Sequence, residues 1–180
     1  MPATEVHAGK AFVDDTTVGA GGTWTNPANA VSRNGVYATN ALASGGGFQT
    51  YYLKATDFGF AVPADATIVG VSLRVAGLTS LGTRTWECKL VKGGTVSGDN
   101  KSTSIPSAVA EKILGGEADM WGLTLTPSDV NASNFGAVVS CLQGDSNGST
   151  ESIDSILLAV HYTLPPVYGR GRRRRFRRRL

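Results

Sequence analysis

The residues best suited to chemistry are crowded at one end of the chain. Arg170, Arg172, Arg173, Arg174, Arg175, Arg177, Arg178 and Arg179 place eight guanidinium groups in the last eleven residues, with Phe176 among them. A guanidinium is planar and always charged, and its fork donates paired hydrogen bonds to phosphates and carboxylates. Phe176 adds a ring that can stack on a base or fill an apolar pocket. The run therefore asks for an anionic partner. On DNA, six such contacts would give a salt slope of about −5 on a log-log plot and would carry no sequence information. On a protein, the segment would cross onto an acidic surface and order as it binds. The plainest reading is a solvated tail that only steers encounters. From Val167 to Leu180 the chain can span roughly 45–50 Å, at ~3.3–3.6 Å per residue, so another subunit is within reach.

Elsewhere the chemical inventory is thin. The two histidines are His7, near the N-terminus, and His161, inside an apolar run. A metal site needs His, Cys or carboxylates at short spacings, and Cys88, Cys141 and His161 are far apart in sequence. His161 reads as a satisfied, half-buried strand residue, His7 as an exposed one, and the two cysteines as buried free thiols. No nucleophile elbow of the Gly-x-Ser-x-Gly kind is expected, and Gly144 to Gly148 reads as a turn. Gly19-Ala20-Gly21-Gly22 and Gly45-Gly46-Gly47 are not followed by Lys-Ser or Lys-Thr, so they read as loops, not phosphate cradles. Asp14-Asp15 and Glu151/Asp154 read as solvated charges. Trp24, Tyr37, Trp86 and Trp121 could stack on sugars, although Trp86 lies on an apolar stripe and Trp121 should pack beneath a helix. No catalytic residue, metal or cofactor is expected.

A net charge of +3 conceals a division. Residues 1–169 carry nine Lys and Arg against fourteen Asp and Glu, a net of −5, while the last eleven residues carry +8. The body is mildly acidic, and the cations sit apart from it. Abundant Gly, with Thr, Val and Ser common, favours strands and turns over helices. No run approaches the ~18–20 apolar residues of a membrane span, and Met1 to Lys10 lack the apolar core of a signal peptide. A soluble chain, folded where it is made and without a membrane partner, is expected.

Period-2 alternation positions the rest. Val69, Val71, Leu73 and Val75 alternate with Gly70, Ser72 and Arg74, and Trp86, Cys88 and Leu90 with Glu87 and Lys89. Ile156, Leu158, Val160 and Tyr162 form a third stripe. Leu157, Ala159 and His161 lie opposite, which predicts a central strand covered on both sides. Residues 137–142 and 49–55 are further strands. Pro63 to Ala66, Gly93-Gly94, Gly98-Asp99-Asn100 and Gly144 to Gly148 supply turns. Thr126-Pro127-Ser128-Asp129 predicts one short helix with an N-cap Thr and a Pro at its first position. Pro165-Pro166 should stop the last strand. The expectation is an all-β sandwich or jelly roll over residues 21–164, an N-terminal segment over 1–20, and a Pro-started basic tail over 165–180.

Several phrases occur together and in order: Trp24-Thr25-Asn26-Pro27-Ala28-Asn29-Ala30, Asn34-Gly35-Val36-Tyr37-Ala38-Thr39, Tyr52 to Ala64, and Ala66 to Val75. Trp121-Gly122-Leu123, Thr126 to Gly136 and His161-Tyr162-Thr163 complete them. Over roughly residues 20–164 the chain resembles a β-sandwich module of tailed-bacteriophage virion proteins. The resemblance implies a non-enzymatic structural protein of the virion, assembled in the host cytoplasm. Capsid decoration, or cement, comes first, and neck, tail or head-fibre positions are the alternatives. It also implies other virion subunits as partners and a homo-oligomeric state. The Arg-rich ending departs from that module, which stops near Tyr-Thr. Arg170 to Arg179 are thus expected to be the anchor to an acidic protein surface, with packaged DNA or a glycan-binding role as the alternatives.

Overall fold

Alternation is carried into ten strands over residues 2–166, the part of the chain that the computed structural model describes. They are β1 (Pro2–Ala8), β2 (Ala11–Asp15), β3 (Ala38–Leu42), β4 (Tyr52–Thr56), β5 (Thr67–Thr79), β6 (Arg84–Lys92), β7 (Thr95–Ser104), β8 (Ala110–Gly116), β9 (Gly136–Gln143) and β10 (Ser149–Thr163). The first sheet runs β1-β10-β5-β8, with β3 also pairing to β10; the second runs β2-β4-β9-β6-β7. Every pairing is antiparallel. This is the expected all-β sandwich of jelly-roll type. β1 and β2 belong to it: residues 1–20, set apart in the sequence reading, supply an edge strand to each sheet.

The core lies between the sheets. Ile68, Val71, Leu73 and Val75 of β5 and Ile156, Leu158 and Val160 of β10 meet Trp86, Cys88 and Leu90 of β6 and Val139 and Cys141 of β9. Phe58, Phe60 and Phe135 close one side, with Phe58 stacked on Phe60 at 5.9 Å between centroids. Aliphatic and aromatic burial of this extent is the main stabilising term. Both cysteines are buried free thiols, as their strand positions suggest.

Two bulges correct the simple alternation. Between His161 and Tyr162 the partner on β5 jumps from Gly70 to Ile68, which skips Val69. An extra residue reverses the facing of everything beyond it. Ile68 is therefore in the core, and Val69 is not. Between Ile153 and Ser155 the extra residue is Asp154. It turns Ile153 and Glu151 inward, so Glu151 is 0% exposed and Asp154 is 2% exposed. The solvated reading of that pair is thus overturned. Asp154 Oδ1 accepts the backbone N–H groups of Asn34 and Gly35, both at 3.1 Å. Gly98-Asp99-Asn100, expected as a turn, is a third irregularity inside β7. Gly98 has φ +79, and Asp99 N donates to Trp121 O at 2.8 Å.

Glu151 is answered from the other sheet. Arg84 of β6, itself buried, donates through Nε to Glu151 Oε1 at 3.2 Å and through Nη1 to Asp145 Oδ1 at 2.8 Å. Nε also reaches Ser149 Oγ at 2.8 Å, and Nη2 reaches the carbonyl of Asn147. Burial pushes the Glu151 carboxyl up, against Ser149, Thr79 and Arg84. Arg84, with the N–H groups of Thr83 and Asn147, holds Asp145 well below the usual carboxylate range.

The short helix α1 (Pro127–Asn131) is as the sequence predicts, with a reciprocal capping box between Thr126 and Asp129. Pro27–Ala30 forms a 3-10 turn that the sequence reading did not anticipate. No helix among the described residues is long and apolar enough to cross a membrane.

Removing Arg84 strands a buried carboxylate. Arg84→Met is expected to cost ~3–5 kcal/mol in denaturant unfolding, and the Arg84→Met/Glu151→Met double variant much less. Equal losses in the two would contradict the pairing. Acid should act through Asp145, whose folded pKa lies below its unfolded one. The stability it brings is complete above the ordinary carboxylate value and is lost progressively as pH falls from there through the lower folded value. Asp145→Asn is expected to flatten the fall in melting temperature below pH ~4.

Candidate functional site

The anchor residues named from sequence, Arg170, Arg172, Arg173, Arg174, Arg175, Phe176, Arg177, Arg178 and Arg179, lie outside the described residues. What is described is their point of departure. β10 ends at Thr163, paired to Pro2 and to Thr67, and Leu164, Pro165 and Pro166 follow as exposed residues. The chain therefore leaves from the centre of the first sheet, at one end of the sandwich.

The outer face of that sheet carries a groove beside this exit. Cross-strand register builds it row by row. Thr4, His161 and Gly70 form one row, and Val6, Ala159, Ser72 and Gly115 the next. Ala8, Leu157, Arg74 and Ile113 form the third. Small residues in the middle make the floor low. A side chain at Gly115, with φ +74, would run into Val71 O at 2.4 Å and the Trp121 indole at 2.6 Å. The result is two adjoining depressions of about 280 and 290 Å³ that share Thr4, Glu117 and His161. Val6 and Ile113 stand exposed on opposite sides.

His161 is the floor of the groove. Its Nδ1 lies 3.0 Å from Thr4 Oγ1 and its Nε2 lies 2.9 Å from Ser72 Oγ. A neutral ring satisfies both hydroxyls, donating through one nitrogen and accepting at the other. Burial lowers its pKa below the ordinary histidine value, and the Glu117 carboxylate opposes that. The expectation of a satisfied strand histidine holds. β10 is central as expected, and its outer-face residues Ser155, Ala159 and His161 are buried as well, sheltered there by neighbouring side chains. Arg74 reaches Glu111 at 3.7 Å on the rim. His7, expected exposed, is half-buried in β1 against Phe60, with 4.9 Å between ring centroids.

The sugar-stacking platform does not form. Trp86 and Trp121 are 0% exposed and Trp24 is 4% exposed. Each indole is held for a structural reason. Trp24 Nε1 donates to Tyr51 O and Trp121 Nε1 to Val71 O, both at 2.8 Å. Trp121 takes φ +55, an arrangement that costs of order 1–3 kcal/mol and that its burial and the Asp119 hydrogen bond hold in place. Tyr37 alone of the four is half-buried. Asp14 and Asp15 are engaged too: Asp14 accepts Trp24 N at 2.8 Å, and Asp15 pairs with Lys54 at 2.9 Å.

Gly144-Asp145-Ser146-Asn147-Gly148 has the letters of a nucleophile elbow, but it joins β9 to β10. The elbow needs a strand-to-helix turn, so this run is the turn its composition suggests. Its carboxylate, Asp145, is spent on Arg84. No group of three or more His, Cys, Asp or Glu able to hold a metal occurs among the described residues. Burial pushes both thiols well above their ordinary value, which keeps them protonated.

Comparisons with known proteins add only distant likenesses. No family model and no curated protein matches the chain. Among solved structures, the carbohydrate-binding module CBM4 is similar at 16% identity and TM-score 0.44, over 85% of this chain and 92% of that one. A mutant of the module CBM29-2 complexed with mannohexaose is similar at 14% identity and TM-score 0.45, covering 88% and 92%. CBM35 from Cellvibrio japonicus Abf62 stands at 14% and 0.39, covering 87% and 92%.

Trp121→Ala should lower stability by ~3–5 kcal/mol, as a core truncation and not as a surface change. In an NMR titration His161 is expected to protonate below the ordinary histidine value, and Glu117→Gln to move it lower still. A His161 midpoint at or above the ordinary value would contradict the geometry.

Proposed function

We propose that the chain is a non-enzymatic structural protein of a bacteriophage virion, a β-sandwich attached to the particle through Arg170 to Arg179. Capsid decoration is the position we favour. The observation that carries this reading is the division of charge, −5 over residues 1–169 against +8 over the last eleven. An acidic body is repelled by DNA and by acidic surfaces, so it meets either one through its basic segment. The resemblance of the ordered run of phrases to phage virion modules supports the setting. The exit of the chain at Leu164, beside exposed Pro165 and Pro166 at one end of the sandwich, supports the attachment. The unit proposed to act as the mount is residues 2–164, with 165–180 as the anchor and other virion subunits as partners.

A second reading, glycan recognition, is favoured by one observation. The groove over His161 brings hydroxyl, imidazole, guanidinium and carboxylate groups to one open strip, with Val6 and Ile113 flanking it. Such a site would bind sugar hydroxyls by hydrogen bonds and not by tryptophan stacking.

Deleting residues 169–180 is expected to leave a folded domain that no longer joins particles; full incorporation of the truncated protein would refute the anchor. If DNA is the partner, the intact protein should bind any duplex at ~50 mM salt and lose affinity with a log-log slope of about −5. Glycan recognition requires that Arg74→Ala abolish retention on host polysaccharide while the thermal melt is unchanged.

A further inference from the structure

The outer face of the second sheet holds a separate depression of about 330 Å³, lined by Thr17, Val18, Tyr52, Lys89, Thr95 and Val96. Its base is apolar. Tyr52, Val91 and Val138 form a small cluster of their own, with Val18 and Val96 packed against it. This cluster lies on the side of the sheet away from the main core, where alternation usually places polar residues. It is also where the segment after β2 crosses β4.

The polar groups around that base are unequal. Lys54 is fully used: its ammonium donates to Asp15 Oδ2 at 2.9 Å and to Gly94 O at 3.0 Å. Lys89 makes no ion pair or hydrogen bond among the described residues, although it lines the depression. Tyr52 is 5% exposed as a residue; its hydroxyl makes no hydrogen bond among the described residues and is not one of the buried polar atoms left without a partner, so it stands at the mouth of the depression, free to donate. Burial, with Glu87 next, raises its pKa, so it stays a neutral donor. Thr95 brings a further hydroxyl, whereas Thr17 already donates to Asp15 at 2.6 Å.

We propose that this depression is a binding pocket for a small hydroxylated monocarboxylate, with Lys89 and Tyr52 donating to the carboxylate and the Val18–Val96 side receiving the carbon frame. The Lys89 ammonium can only donate and the Tyr52 and Thr95 hydroxyls can donate as well as accept, so a ligand acceptor suits all three. A carboxylate accepts from an ammonium and a phenol in charge-assisted hydrogen bonds. The volume stands at the lower end of small-molecule sites, which fits a single sugar acid or hydroxy acid. Glu87 lies two positions from Lys89 on the same face and accepts from Gln49 Nε2 at 3.0 Å. Together with Asp15 it disfavours a dianion such as phosphate. This site is independent of the groove over His161 and of the basic segment.

The test is an NMR titration of the full chain with sodium glucuronate, glucose and sodium phosphate at fixed ionic strength. Glucuronate is expected to give saturable shifts confined to Val18, Tyr52, Lys89 and Val96, with glucose and phosphate much weaker. Lys89→Met should weaken glucuronate at least about tenfold, the loss of a charged hydrogen bond. Tyr52→Phe, which keeps the ring, should weaken it several-fold with an unchanged melting temperature. Absence of saturable shifts, equal binding of glucose, or unaltered affinity in Lys89→Met would each overturn the assignment.

Discussion

Arg84 leaves β6 in the second sheet and ends against Glu151 of β10 in the first, with both side chains withdrawn from solvent. Two charges taken out of water cost more than most surface pairs ever return, so this contact depends on the further hydrogen bonds around it. Ser149, Thr79, Asp145 and the carbonyls of Thr83 and Asn147 fill nearly all the remaining valences. Within this network Glu151 Oε2 is left without a partner among the described residues. The pair fixes how the two sheets sit at one end of the sandwich, and with them the loop from Gly144 to Gly148.

The tryptophans are spent on the core, and what large apolar side chains the surface keeps among the described residues, such as Val6, Val13 and Ile113, are aliphatic or, at Phe48, a single ring. Indoles that might have met a ligand instead donate to backbone carbonyls inside the molecule. The two faces differ in consequence. The first sheet presents a low strip whose histidine is satisfied by its own neighbours. On the second, Lys89 and Tyr52 are left without partners among the described residues, beside an apolar base. β7, the edge of that sheet, is almost wholly polar, which suits an exposed ladder that must not pair with other chains.

Much of this architecture was legible in the sequence. Stripes in β5, β6, β9 and β10, the capping box at Thr126 and the buried thiols follow from alternation and local capping rules. β7 and β8 were not legible, because edge strands lack a clean apolar face. Glu151 was misread for a definite reason: a one-residue bulge at Asp154 reverses the facing of the residues before it, and pattern alone does not show a bulge. Arg84, in phase with Trp86, Cys88 and Leu90, was the available hint that a buried carboxylate had to exist. For the groove, His161 was visible, but its partners Thr4 and Ser72 stand 157 and 89 residues away and meet it only through strand register. Lys89 and Tyr52 belong to separate stripes that only the sheet order brings together.

An acidic sandwich is joined to a basic segment, and the proposed role of the segment is attachment. A density map of the assembled particle tests that assignment most directly. Arg170 to Arg179 are expected to lie against an anionic surface of a neighbouring component while residues 2–164 project from it. Contact made by a sheet face, with the arginines directed into solvent, would contradict it.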